Sequence, residues 1–316
     1  MIRALFSVGT NSTRLLVVRQ AQGGGVRLAA ESRGTRIGTG IGETGTLDPA
    51  ARERTLVGID EYVEIARSLG VTQADSIATS ALRRASDGAA FAAQVAERIG
   101  IAPRVLSGAE EATYSFLGAT ATRDGDNPIA VLDVGGGSAE LAIDVPRQAR
   151  STGAVARTLS VEIGAVRLSE RHPTLLGARA LDADERRVLV EEAGADAATV
   201  LRPLETVCDF TELIAVGGTV FTASAMIAGG VRDGATMTRA DCLRLIDDLL
   251  ARDLDARKAL PHIRPQRADI LPAGLIVVDE ACRLLGVDRF TVSEADLLLG
   301  YLTSPAFRAV RFPPHA

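Results

Sequence analysis

Two stretches decide how this chain folds: Leu5-Phe6-Ser7-Val8-Gly9-Thr10-Asn11-Ser12-Thr13-Arg14-Leu15 and Val131-Leu132-Asp133-Val134-Gly135-Gly136-Gly137-Ser138-Ala139-Glu140-Leu141. Laid over each other, they share apolar, polar, apolar and glycine at the same offsets, followed by serine and leucine. Each reads as two buried strands joined by a tight polar turn, so the chain holds the same hairpin twice. Both turns present successive backbone N–H groups and a serine hydroxyl, the arrangement that cradles an anion. Gly9, Thr10, Asn11 and Ser12 in the first turn, and Gly135, Gly136, Gly137 and Ser138 in the second, are therefore candidate phosphate-binding residues. Taken alone, they are also ordinary turn formers.

Outward from the first hairpin, a third strand is expected over Val26–Ser32. Leu47-Asp48-Pro49 then opens a helix with an N-cap aspartate and an N1 proline, and Gly70 closes it. A strand at Asp75–Thr79 and a helix at Asp87–Ile99 continue the alternation. Ser107-Gly108-Ala109-Glu110 is a capping box, starting a helix at about Gly108 that runs to about Thr120. The polar stretch Thr122–Pro128 mixes charge with turn formers and marks a domain boundary. Beyond the second hairpin, whose return strand is expected over Glu140–Val145, Asp182 caps a further helix. Leu213-Ile214-Ala215-Val216 leads into Gly217-Gly218-Thr219 and another helix. Helices near Arg239–Ala251 and Ala268–Leu285 and a strand at Phe290–Ser293 follow. The alternation makes the chain α/β, with domains at 1–122 and 123–295 and a last helix, about 296–316, returning to the first.

At 316 residues the length suits two domains better than one core. With 47% hydrophobic and 24% charged residues, the composition is that of a globular enzyme. No apolar run reaches the length of a membrane span and no signal-peptide pattern precedes Leu5, so the expectation is a cytoplasmic protein with no membrane partner. A net charge of −5 argues against a broad nucleic-acid-binding face. Cys208, Cys242 and Cys282 are too scattered for a zinc site or disulfide framework and read as small core residues. His172, His262 and His315 likewise offer no metal-ligand spacing. Lys258 is the only lysine, which excludes a Walker-type phosphate loop. An anionic ligand would have to meet arginine forks, backbone amides and metal.

The residues quoted so far, together with Ala78-Thr79-Ser80-Ala81-Leu82-Arg83-Arg84-Ala85, Leu106-Ser107-Gly108-Ala109-Glu110-Glu111-Ala112, Ile163-Gly164-Ala165-Val166-Arg167-Leu168 and Arg267-Ala268-Asp269, resemble the exopolyphosphatase and guanosine pentaphosphate phosphohydrolase (Ppx/GppA) family. The resemblance covers nearly the whole chain, in the short two-domain form. It implies the actin-like (ribonuclease H-like) two-domain fold with the active site in the interdomain cleft. It also implies hydrolysis of terminal phosphoanhydride bonds of inorganic polyphosphate or pppGpp, releasing orthophosphate. In such a reaction a water must be placed in line with the terminal phosphorus and lose its proton while charge on the phosphoryl oxygens is neutralised. By resemblance Glu111 is the catalytic base; on its own it equally complements the helix dipole. Asp133 and Glu140 flank the second turn where a hard cation, Mg2+ or another divalent ion, wants carboxylates, and by resemblance they hold it. Arg83 falls where the family places a substrate-binding arginine. Gly218 and Thr219 complete the substrate-binding candidates. Arg14, Arg36, Arg167 and Arg267 are weaker ones, as suited to structural ion pairs as to a ligand, and Arg84 reads as a surface charge. A homodimer is a candidate assembly.

Two departures from the family pattern stand out. Ser7 occupies the position of the usual first-hairpin aspartate, and Leu298-Leu299-Gly300 stands where an arginine-glutamate-glycine run is usual. They motivate a second reading, a catalytically silent sensor of polyphosphate or an alarmone. Gly217-Gly218-Thr219 motivates a third, an ATP-dependent small-molecule kinase with an adenosine-side loop.

Overall fold

The structure is a computed structural model that describes residues 1–21, 24–121, 123, 127–143, 157–207 and 210–312. Residues 122 and 124–126 of the expected linker, the strand end at 144–145, Cys208 and His315 lie outside the described residues.

Strands β1 (Ile2–Val8), β2 (Thr13–Ala21) and β3 (Gly24–Arg33) form an antiparallel meander, and β4 (Gln73–Ala78) returns to pair parallel with β1. The short β5 (Arg104–Val105) pairs parallel with β4. In the second half, β6 (Ile129–Val134), β7 (Ala139–Ile143) and β8 (Arg157–Val161) form a second antiparallel meander. Strand β9 (Glu212–Val216) returns parallel beside β6, followed by β10 (Thr236–Thr238) and β11 (Arg289–Val292). The orders are β12-β4-β1-β2-β3 and β10-β11-β9-β6-β7-β8, where β12 is Val310–Arg311. The hairpin repeat is thus the visible part of a repeated sheet, and the doubled α/β topology is the expected actin-like fold.

The helix starts follow from local chemistry. Asp48 accepts from the Ala51 N–H at 2.7 Å ahead of Pro49–Ser68. Ser107 with Glu110, and Asp182 with Glu185, form capping boxes ahead of Gly108–Thr120 and Ala183–Leu201. Each sheet has its own core: Phe6, Val8, Leu15, Ile59 and Phe91 in one, Leu132, Leu141, Leu275 and Phe290 in the other.

Helix Gly108–Thr120 serves both sheets. Tyr114 packs with Leu5, Leu16 and Tyr301 on the first, whereas Ala112 and Phe116 pack with Val131 and Val216 on the second. Helix Leu297–Thr303 crosses it at backbone contact, since a Cβ on Gly300 would collide with the Tyr114 carbonyl and one on Gly118 with the Asp296 carbonyl.

That last helix is a correction to the expected span of about 296–316. It stops at Thr303, because Pro305 disfavours a helical Ser304, which is extended (φ −78°, ψ 161°). The chain then turns back as β12 to pair antiparallel with β4. Asp75, fully buried on β4, receives the Tyr301 hydroxyl at 2.9 Å, the Arg308 N–H at 2.8 Å and the Arg308 guanidinium, tying this segment to the first sheet.

Candidate active site

The two repeated turns are closed by the same bond. Gly9 N–H donates to the Ser12 carbonyl at 3.0 Å, and Gly135 N–H to the Ser138 carbonyl at 3.0 Å. They meet directly across the two sheets: a Cβ on Gly136 would sit 3.1 Å from the Asn11 nitrogen, and one on Gly137 2.7 Å from Thr10 Oγ1 and 3.0 Å from Ser80 Oγ. Glycine at both positions is what permits this approach. Thr10, Asn11, Ser12 and Ser138 are buried at the contact. Asn11 Nδ2 donates to Ser12 Oγ at 3.2 Å, while its buried Oδ1 has no partner.

The carboxylates gather beside these turns. Asp133 on β6 lies opposite Glu140 on β7 in the register, so both side chains leave the same face. Ser115 Oγ donates to Asp133 Oδ2 at 2.6 Å and Ser160 Oγ to Glu140 Oε1 at 2.9 Å. Glu110 is held by the Ser107 N–H and hydroxyl at the cap and by Arg104. Its neighbour Glu111, about 100° further round the helix, turns inward, is 6% exposed and pairs with Arg83.

Burial pushes Glu111 up to about 7 against the pull of Arg83, with Asp133 and Glu162 raising it further. Burial likewise pushes Asp133 up to about 6, partly offset by Ser115. Glu140 is raised well above the ordinary carboxylate range by burial and then by repulsion from Glu111 and Asp133. Burial, and after it mutual repulsion, therefore disfavours charge on all three carboxylates, an arrangement that an oxygen-seeking cation relieves. Among the described residues, no three His, Cys, Asp or Glu groups stand together as a self-sufficient metal site.

This burial of charge has a measurable consequence. A carboxyl raised in the folded state contributes stability that is complete below its ordinary value and lost as pH rises through its folded value. The metal-free protein should accordingly lose melting temperature between about pH 4 and 7, from the ordinary carboxylate range up to the values near 6 and 7 of Asp133 and Glu111. A melting temperature that rises over that interval would contradict it.

Arg83 Nη1 donates to the Leu106 carbonyl at 2.7 Å and to Glu111, and Nη2 approaches Glu162 at 3.5 Å. Arg14 pairs with Asp296 and Arg36 with Asp269, each at 2.6 Å. Arg267 crosses to the first hairpin, its Nη2 donating to Ser12 Oγ at 3.3 Å, and its guanidinium covers Gly218. Burial lowers it to about 10. Gly217 abuts Asp133 Oδ1, 2.8 Å from a would-be Cβ, and Thr219 packs against Gly274 of helix Leu271–Leu284, its side chain turned to that helix. A cavity of about 1170 Å³ opens beside Gly217, which separates it from Asp133; Arg14, Gly217, Gly218, Phe221, Arg264 and Arg267 are in its wall, whereas Glu111, Asp133, Glu140 and Arg83 are not. Glu162, which the sequence reading did not single out, faces Arg83, Arg84 and Arg167. Its only signal is that it immediately precedes Ile163-Gly164-Ala165.

Comparison with known proteins yields concordant relatives. The sequence model of the Ppx/GppA phosphatase family matches residues 16–306. Exopolyphosphatase 2 of Mycobacterium tuberculosis is 32% identical over 328 residues, covering 96% of this chain and 98% of that protein. Among solved structures, an exopolyphosphatase-like protein superposes with a TM-score of 0.84 at 28% identity, covering 98% of this chain and 99% of that one. An exopolyphosphatase from Cytophaga hutchinsonii shares the fold, with a TM-score of 0.82 at 24% identity and 96% of each chain covered.

Proposed function

Since the chain belongs to the Ppx/GppA phosphatase family, we propose that it hydrolyses the terminal phosphoanhydride bond of inorganic polyphosphate, releasing orthophosphate and a chain one phosphate shorter. The observation that carries this reading is Glu111: a buried carboxyl raised to about 7, fixed on a capped helix, beside Asp133, Glu140 and two anion-cradling turns. A general base poised near neutrality accepts the proton of the attacking water at its carboxylate oxygen. Arg83 holds the terminal phosphoryl group through its fork, and the amides of residues 10–12 and 136–138, which the turn-closing bonds of Gly9 and Gly135 leave free, hold other oxygens of that group. Asp133 and Glu140 would hold Mg2+, which when bound supplies charge neutralisation on the phosphate oxygens. Two carboxylates plus substrate oxygens are the usual set for that ion.

The cavity beside Gly217 supports pppGpp as a second substrate, because Phe221 with the Arg264 guanidinium 5.2 Å from its ring offers a base-stacking wall. The Gly218 backbone that a kinase would reserve for adenosine is covered by Arg267. Domains at 1–122 and 123–295, with the chain from 296 returning to the first, belong to the same proposal and are supported by strand membership of the two sheets. So does action in the cytoplasm. Among the described residues no helix is long and apolar enough to cross a membrane, and Cys242 and Cys282 carry free thiols.

The test is orthophosphate release from a panel of polyphosphate lengths, pppGpp and nucleoside triphosphates, with Mg2+ titrated. A chain inactive on all of them overturns the proposal. Arg83→Ala should raise KM about tenfold or more, since a bidentate fork is lost, and Arg83→Lys should rescue only in part. Because Arg83 also holds Glu111 down, the alanine variant's pH profile should shift upward, and full rescue by lysine would show that charge alone matters.

A further inference from the structure

Glu162 sits in the loop between β8 and the helix Ala165–Arg171, its side chain 45% exposed. Three guanidinium groups converge on it. Arg83 and Arg84 reach it from the first lobe at 3.5 Å each, and Arg167 reaches it from the second with one nitrogen on the carboxylate and another on the Glu162 carbonyl at 3.0 Å. Glu162 contacts all three, while Glu111 and Glu140 act on Arg83 alone and Glu170 acts on Arg167 from further away. Arg83 shares its charge with Glu111, and Arg84 repels Arg167, which burial already disfavours. Arg167 Nε is buried with no hydrogen-bond partner. This is a cationic mouth with a donor still unused, closed by a single half-exposed anion.

We propose that Glu162 is a built-in counter-anion that occupies the mouth of the substrate path, and that the phosphates behind the terminal one displace it to bind Arg84 and Arg167. The inference rests on the polyphosphate reading above. Arg83 links the two ends of the path, touching both Glu111 and Glu162, so a chain with its terminal phosphate at Arg83 continues toward Arg84 and Arg167. An ion pair this exposed is weak and inexpensive to break. Successive phosphates bring several negative charges and acceptor oxygens that suit guanidinium forks better than one carboxylate does. The arginines would then select a chain over a single phosphate, and Glu162 would keep them paired, and the lobes clasped, between substrates.

The experiment is a cycle of KM values for long-chain polyphosphate in wild type, Glu162→Gln, Arg84→Ala/Arg167→Ala and the triple variant. Glu162→Gln should lower KM at least about threefold, and the double arginine variant should raise it about tenfold. In the Arg84→Ala/Arg167→Ala background, where Arg83 still faces Glu162, the drop from Glu162→Gln should be clearly smaller than in wild type. An equal drop in both backgrounds would mean long-range repulsion only, and no drop in either would mean a bystander; both results overturn the inference. Calorimetric binding of inorganic tripolyphosphate to Glu111→Gln protein, with and without Glu162→Gln, tests it independently of turnover. If the wild-type chain releases no orthophosphate, tighter tripolyphosphate binding on Glu162→Gln would remove the hydrolase reading and keep this one. Normal hydrolysis with a KM indifferent to Glu162 would do the reverse.

Discussion

Glu111→Gln should lower turnover on polyphosphate at least about 10²-fold, the contribution of a positioned general base, while leaving substrate binding intact or slightly tighter. Glutamine keeps the shape and can still accept from Arg83, but it cannot take a proton from water. It also removes a negative charge beside Asp133 and Glu140 and frees Arg83 from its anionic partner. Both changes favour a polyanion. Single-turnover phosphate release, compared with tripolyphosphate binding, separates the two effects. Affinity falling in proportion to turnover would mean that Glu111 holds substrate or metal instead. A loss below fivefold would remove it from the chemistry.

The largest expected effect on stability lies far from the cleft. Arg308→Ala should destabilise the fold by about 2–4 kcal/mol, because it leaves Asp75 buried without a cation. Asp75 would keep the Tyr301 hydroxyl and the N–H groups of Ser76 and Arg308. Neutral donors replace only part of a charge-assisted pair. In addition, the carbonyls of Ser76 and Ala102 lose the donors they have at 3.0 and 2.8 Å. Chemical denaturation measures the difference. A change under 0.5 kcal/mol would show that solvent replaces the guanidinium freely, and Asp75→Leu/Arg308→Met, which removes both charges, should recover part of the loss.

What could be read from the sequence was local in origin. Asp48, Ser107 and Asp182 announce helix starts because their side chains bond backbone groups three residues away. The two hairpins announce a repeat because each is complete within eleven residues. Glu111 could be told from Glu110 because the capping box commits one and leaves the other free to turn. What escaped depends on partners distant in sequence. The two-residue strands β5 and β12 have almost no pattern of their own and exist through β4. Glu162 looks like any loop carboxylate until Arg83 and Arg84 are brought to it from the other lobe. The helix end at Thr303 is different: Pro305 was in plain view, and the expected span ran past it.

The tie between Asp75 and Arg308 also sets an order of events during synthesis. Arg308 lies 233 residues after Asp75, so at roughly 5–20 residues per second the aspartate waits on the order of 10–50 s for its cation. Over the same interval β4 has no β12 on its edge, and Tyr301 has not yet been made. Every strand of the second sheet, through Val292, precedes those residues. The lobe translated first is therefore the one completed last. A chain that has emerged through Val292 but not yet through Tyr301 has every strand of the second sheet in hand and an unfinished first one, with a charged group on a strand that still lacks its neighbour. An unpaired strand edge of that kind is prone to association until β12 covers it.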